Sequence, residues 1–327
     1  MKYYGAPMEG VNSAFYRNAH EEFFGGVDKC FSPFLVPNDG IKFKQKQLYD
    51  IIPERNKNIS LVPQLLSNRV EDFVRSAKEI QELGYEELNF NLGCPSGTVV
   101  TKKKGSGFLA YPEELDAFLY EIFSRCDIGI SIKTRLGKEE PEEFYKILEI
   151  YNKYKMTELI IHPRVQKDMY KYPPHMEVFA DIINESKNPV CYNGDIFTPE
   201  DGKEIIEKFP QLDSIMLGRG LIACPSLIRE IEGGEGLNKD EFRKLHDCLF
   251  YDYQEYLSGD TNLLYRMKEY WYYMSHSFID HKKYSKKIRK ATKLDGYLEV
   301  VDELFQTKDL GGYFSPLYCT KPESVVD

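Results

Sequence analysis

The chain has 327 residues, 42% hydrophobic and 14% aromatic, with a formal net charge of −9. That length allows two domains, or one barrel with an extension, and no apolar run approaches the roughly twenty residues of a membrane helix. The acidic balance argues against a nucleic-acid partner for the surface as a whole. The seven cysteines, Cys30, Cys94, Cys126, Cys191, Cys224, Cys248 and Cys319, are scattered with no Cys-x-x-Cys pair. They offer no metal site and point to a reducing cytoplasm. The first residues run straight into a strand-like segment, so no signal peptide is expected.

Periodicity gives short apolar strands alternating with longer amphipathic helices. The first strand, Tyr3–Ala6, leads into Pro7-Met8-Glu9-Gly10, and a second is expected over Lys29–Phe34. A third, Ser60–Gln64, precedes a helix over Arg69–Leu83 whose Val70, Phe73, Val74, Ala77 and Ile80 share one face. The fourth, Glu87–Asn91, runs into Leu92-Gly93-Cys94-Pro95-Ser96, where Gly93 and Pro95 turn the chain on either side of a cysteine. Gly105-Ser106-Gly107-Phe108-Leu109-Ala110 has G-x-G-x-x-A spacing. It follows Lys102-Lys103-Lys104 rather than a strand, and is not read as a Rossmann fingerprint. Then come a helix over Glu113–Ser124, a strand over Ile128–Thr134, a helix over Pro141–Tyr154 and a strand over Glu158–His162. The strand Val190–Asn193, the helix Pro199–Phe209 and the strand Ser214–Gly218 complete the series. Pro112, Pro141 and Pro199 stand at expected helix starts, where a missing N–H is tolerated.

Eight such strands within roughly 230 residues match a (β/α)8 TIM barrel, although a doubly wound sheet has the same alternation. After Gly233-Gly234-Glu235-Gly236 the pattern changes, which places a barrel over residues 1–235 and a small helical domain over residues 236–327. The second segment carries aromatic residues at helical spacing, including Tyr270-Trp271-Tyr272-Tyr273, which read as core packing. It also carries the run from His281 to Lys293, with seven Lys or Arg and no acid. A solvated helix face and a phosphate-contacting surface are equally good readings of that run by itself.

Polar groups gather where the strands end: Gln64, Asn91 with Cys94, Lys133-Thr134-Arg135, His162-Pro163-Arg164, Asn193-Gly194-Asp195 and Gly218-Arg219-Gly220. In a barrel these ends ring the face on which such enzymes build their sites. Glycine-flanked loops beside Arg219 suit a phosphate. Asn193 and Asp195 suit a polyol, Lys133 an electron-rich ring, and Gln64 an amide-like edge. That set fits flavin mononucleotide (FMN), and a phosphosugar enzyme would use similar loops. His162 with Arg164 two places on reads as a ligand contact, Cys191 as core, and His20, His175, His246 and His276 as residues without companions.

Ala6-Pro7-Met8-Glu9-Gly10-Val11, Asn91-Leu92-Gly93-Cys94-Pro95-Ser96, Lys133-Thr134-Arg135-Leu136-Gly137, His162-Pro163-Arg164, Asn193-Gly194-Asp195-Ile196 and Gly218-Arg219-Gly220 occur in an order that resembles the tRNA-dihydrouridine synthase family. The resemblance implies FMN-dependent reduction of the uracil C5–C6 double bond in tRNA, with NADPH or NADH as reductant. It implies FMN contacts from Pro7, Met8, Gln64, Lys133, His162, Asn193, Gly194, Asp195, Gly218 and Arg219. Cys94 would be the general acid, and Asn91 and Arg135 would hold the uracil edge. A polyanionic substrate then favours phosphate contact for Lys282, Lys283, Lys286, Lys287, Arg289 and Lys290. No metal, membrane or protein partner is expected. The chain departs from the family pattern at Ser32-Pro33-Phe34, where an acidic residue is usual, and at Gly107-Phe108-Leu109, where small residues are usual. The competing reading is an FMN barrel acting on a free pyrimidine, akin to dihydroorotate dehydrogenases; the basic tail is the feature such an enzyme would not use.

Overall fold

The computed structural model describes residues 1–37 and 43–315. Nine short strands form one sheet: β1 (Lys2–Gly5), β2 (Lys29–Phe31), β3 (Leu61–Val62), β4 (Gln64–Leu65), β5 (Glu87–Leu92), β6 (Gly129–Gly137), β7 (Leu159–Val165), β8 (Val190–Asn193) and β9 (Ser214–Leu217). Every pairing is parallel, in the order β3-β2-β1-β9-β8-β7-β6-β5-β4. The two ends of that order, β3 and β4, are separated in sequence by Pro63 alone. The upstream half pairs with β2 and the downstream half with β5. The Asn89 N–H donates to the Pro63 carbonyl at 2.9 Å. The sheet therefore closes on itself as an eight-stranded barrel whose third strand is split, and the doubly wound alternative fails on closure. Pro63 has no N–H to give the ladder, and beyond it pairing on the β2 side resumes, with the Leu35 N–H donating to the Gln64 carbonyl at 2.7 Å.

Alternation along each strand sorts the side chains. On β5, Leu88, Phe90 and Leu92 face the outer helices, and Phe90 packs edge-on against Phe73 and stacks with Phe118. Inside the barrel, Tyr4, Ala6, Phe31, Val62, Ile160, Cys191 and Met216 form an apolar plug. Beneath it Glu158 accepts from Ser214 at 2.6 Å and from the Tyr4 hydroxyl at 3.2 Å. The plug fills the lower barrel, so polar chemistry is confined to the opposite, C-terminal mouth.

Some boundaries differ from those expected, for local reasons. The helix expected from Pro141 begins at Glu143, because the Glu143 carboxylate accepts the N–H groups of Lys138, Glu139 and Glu140 at 2.7 to 3.0 Å and holds the preceding turn open. Strand β2 stops at Phe31, where the Ser32 hydroxyl accepts the Gln64 N–H at 3.1 Å. Strands β6 and β7 run three residues further than expected, to Gly137 and Val165.

From Lys239 onward the chain is helical: Lys239–Tyr256, Asp260–Met274, Lys282–Lys290 and Leu294–Thr307. Asn238 caps the first of these through its side-chain oxygen on the Glu241 N–H. The helices share a second apolar core with Val11, Tyr16, Ala19 and Ile222 of the barrel. Tyr16 stacks on Tyr270 at 5.8 Å, and Ser13 hydrogen-bonds the Tyr253 hydroxyl at 2.6 Å. The chain then returns to the barrel, where Phe314 packs on Phe197 and the Tyr313 hydroxyl donates to Glu230. Among the described residues no helix is long and apolar enough to cross a membrane.

In the second core the Tyr297 hydroxyl lies 2.7 Å from both Trp271 Nε1 and His246 Nε2. Burial holds His246 below its ordinary pKa, and His246 Nδ1 faces Asp247 at 2.8 Å. The consistent assignment has Trp271 donating to Tyr297, Tyr297 to His246, and His246 to Asp247. Removing the central oxygen leaves a buried indole N–H without an acceptor. Tyr297→Phe should thus lower unfolding free energy by about 1–3 kcal/mol, read from the denaturant midpoint with helix content unchanged.

Candidate active site at the barrel mouth

Above the apolar plug the inward positions become polar. A cavity of about 270 Å³ opens at the C-terminal ends of the strands, lined by Pro7, Met8, Lys133, His162, Asn193, Gly194, Asp195, Gly218 and Arg219 together with aromatic residues. All the residues expected to hold a cofactor are in that lining except Gln64. A side chain at Gly194 would begin 1.9 Å from the Tyr192 hydroxyl, and one at Gly218 would press on Ala6 and Met8 at 3.3 Å. At both places the bare backbone forms the cavity wall.

The electrostatic centre is the Asp195 carboxylate. It accepts from Arg164 Nη1 at 2.9 Å and Arg219 Nη2 at 2.6 Å, and its second oxygen pairs with Arg164 Nη2. The side chains of Arg164 and Asp195 are almost fully buried. Asp195, expected on a cofactor polyol, is thus committed to the two guanidiniums. Arg164 Nη1 also lies 2.8 Å from His162 Nε2. A guanidinium can only donate, so Nε2 is the acceptor and the imidazole carries its proton on Nδ1. Burial, with Arg135, Lys133, Arg164 and Arg219 around it, holds His162 well below its ordinary pKa, hence neutral.

Lys133 projects into the cavity from β6 without a hydrogen-bond partner among the described residues. Burial, reinforced by the Arg135 cation, pulls its ammonium down to about 8. Arg135 is buried, and three of its N–H groups are engaged: Nε donates to the Gly93 carbonyl at 3.1 Å, Nη1 to Val165 and Nη2 to Met169, both at 2.9 Å. It ties the loops after β5 and β7 together and adds its charge to the site. The Tyr170 ring lies over Arg219 at 4.5 Å and over Arg135 at 5.2 Å.

Cys94 follows β5 on the turn expected for it. Burial raises its thiol pKa, with partial opposition from the Ser96 backbone and Arg135, so the thiol is protonated at neutral pH. Asn91 and Gln64 lie deeper. The Asn91 side-chain oxygen accepts the N–H groups of Gly93 (3.1 Å) and Cys94 (2.9 Å), and its amide nitrogen donates to Gln64 at 2.7 Å. Gln64 is fully buried and donates in turn to Asn89 at 2.7 Å.

Several lining residues escaped the sequence reading. Tyr170, Phe197, Tyr272, Tyr273 and Phe314 wall the cavity. The Tyr270–Tyr273 stretch, read as core throughout, divides: Tyr270 and Trp271 are buried, whereas Tyr272 is 59% exposed. The helical turn of 100° per residue was the available signal. Arg164 stood inside a recognised motif, but its bond to Asp195 joins two strands and has no local signature. The histidines read as lacking companions do have partners, for example His175 with Asp168 at 2.9 Å and His20 with the Pro225 carbonyl at 2.9 Å. None of these histidines lines the cavity. No cluster of possible metal ligands occurs among the described residues.

The basic run forms the helix Lys282–Lys290 and divides by face. Lys282, Lys286 and Arg289 line a groove with Lys268, His276 and His281, and Tyr272 borders both this groove and the cavity. Lys287 is paired with Glu303 at 2.7 Å, and Lys283 lies over the Tyr284 ring. Lys290 is exposed and lies outside the groove lining.

A family model described as dihydrouridine synthase (Dus) matches residues 4–309. A tRNA-dihydrouridine(16) synthase of Pseudomonas syringae is 30% identical over 237 residues, covering 70% of this chain and 74% of that protein. The Vibrio cholerae protein of that name is 27% identical over 319 residues, covering 93% and 95%. Among solved structures, morphinone reductase superposes with a TM-score of 0.51 at 13% identity, over 73% of this chain and 87% of that one. The old yellow enzyme from Trypanosoma cruzi gives 0.50 at 10%, over 72% and 89%. At such identities the two solved structures speak to the barrel fold alone.

The Asp195 carboxylate neutralises part of a dense cationic cluster. Asp195→Asn should destabilise the protein by about 3–5 kcal/mol, read from a denaturation midpoint. Lys2→Gln, at the far end of the barrel, should change it little.

Proposed function

The chain belongs to the dihydrouridine synthase family, and on that footing we propose that it reduces the C5–C6 double bond of a uridine in tRNA, using FMN and NADPH or NADH. The observation that carries this reading is a single cavity at the barrel mouth that gathers Lys133, His162, Asn193, Asp195 and Arg219. Its donor set fits the cofactor. Arg219 and the open backbone at Gly194 and Gly218 suit the phosphate, and Asn193 the ribityl chain. Lys133 and the Nδ1–H of His162 suit the electron-rich end of the ring.

Bound flavin would supply a hydride to uracil C6. The remaining work falls to the chain's own groups. Charge that develops on the uracil carbonyls is stabilised by Lys133 and Arg135. Cys94, protonated because burial raises its pKa, delivers the proton to C5. The basic groove beside the cavity favours tRNA over a free pyrimidine as substrate, since positive charge tracking away from the mouth has work to do only on a polyanion.

The decisive experiment maps dihydrouridine in tRNA from cells lacking this protein. Loss at one position is expected, with position 16, named in several relatives, the first to inspect. An unchanged map, or protein that neither carries nor binds FMN, overturns the reading. Cys94→Ala should keep FMN and tRNA binding and lose about 100-fold or more in turnover. Lys286→Ala and Arg289→Ala should each weaken tRNA binding and reduce its salt slope by about 1. Lys287→Ala should do less, because Glu303 already neutralises that charge.

A further inference from the structure

The geometry points to a positioning frame for Cys94, made of a buried amide row beneath it and the Gly105–Ser106 turn beside it. Inside the barrel, Asn89 Nδ2 donates to Ser131 Oγ at 2.9 Å, Gln64 Nε2 to Asn89 Oδ1 at 2.7 Å, and Asn91 Nδ2 to Gln64 Oε1 at 2.7 Å. The row ends at Asn91 Oδ1, which receives the Gly93 and Cys94 N–H groups. Every donor points the same way. Turning any one amide would set oxygen against oxygen or NH2 against NH2, so the row is locked in direction. Asn89 and Gln64 are wholly buried, and water has no access to replace a lost partner.

The carbonyls of the same turn are held from the other side. Arg135 Nε donates to Gly93 O, while the Ser106 N–H and hydroxyl both donate to Cys94 O, at 3.1 and 2.9 Å. Gly105 lies at φ +56°, and a side chain there would begin 2.7 Å from the Cys94 carbonyl and 3.1 Å from Cys94 Cβ. Only glycine lets this segment approach so closely. The glycine pattern unrelated to nucleotide binding thus has a use. Both the N–H and the C=O of Cys94 are fixed, so the backbone from which its thiol projects is held on two sides.

Asn91 and Ser106 are on this basis positioning residues, acting through Cys94. The inference rests on the reading that Cys94 supplies the proton, and its test separates the two. In the FMN-loaded enzyme, Asn91→Ala and Ser106→Ala should change the rate of iodoacetamide labelling at Cys94, followed by mass spectrometry, by about fivefold or more. Both should lower kcat for tRNA by about 10- to 100-fold with KM within twofold. Asn91→Asp keeps an oxygen for both N–H groups and should recover part of the loss. A raised KM with unchanged kcat and labelling would make Asn91 a substrate contact and overturn the frame. Unchanged labelling in both alanine variants would also overturn it. If Asn91→Ala fails to fold, Ser106→Ala, which leaves one of the two donors in place, carries the test. Labelling needs no tRNA, so a fully active Cys94→Ala would reject the proton-donor role while the labelling result still judged the frame.

Discussion

Closure of the barrel at Pro63 is the constraint from which the site follows. A continuous third strand would present one ladder edge to β2 and the other to β5 along its whole length. The proline interrupts it, yet Leu65 still bridges both Leu35, beyond β2, and Phe90 of β5. Closing the sheet takes every inward side chain out of bulk water and makes each polar one answer for its hydrogen bonds. The lower half meets that demand with apolar packing, the middle with the Ser131–Asn89–Gln64–Asn91 row, and the mouth with ion pairs.

Charge is sorted along the same axis. A chain with a net charge of −9 collects Lys133, Arg135, Arg164 and Arg219 around one opening, and the buried Asp195 carboxylate pairs with two of them, Arg164 and Arg219. Crowding of cations does two things at once. Added to burial, which is the larger cause, it keeps His162 neutral and lowers the Lys133 ammonium, and it leaves a surplus positive field facing the cavity. The groove lined by Lys282, Lys286 and Arg289 prolongs that field beyond the rim at Tyr272.

Much of this was legible in the sequence, because the barrel writes its interior as strand-end motifs. Pro7, Met8, Lys133, His162, Asn193, Gly218 and Arg219 could be placed at one mouth from strand periodicity together with motif order. What could not be read were relations between strands. Asn91 and Gln64 stand at consecutive strand ends, 27 residues apart in the chain, and join in one hydrogen-bonded row only when those strands pair. Asp195 has a polyol-binding residue type, but its register beside β7 commits it to Arg164. Lys283 and Lys287 share a basic run with Lys286, yet face Tyr284 and Glu303, because helical phase outweighs composition.

Phe314 stands against Phe197, Tyr273 and His276 and lies 5.8 Å from the Arg219 guanidinium, so the wall of the cavity is finished by a segment remote in sequence from the rest of it. Chains fold from the N-terminus as they are made. The strands that carry the charged groups are complete well before this wall arrives. A nascent chain consequently passes through a stage in which the barrel exists with its mouth unwalled, and mature ligand capture must wait until the segment bearing Phe314 has been made.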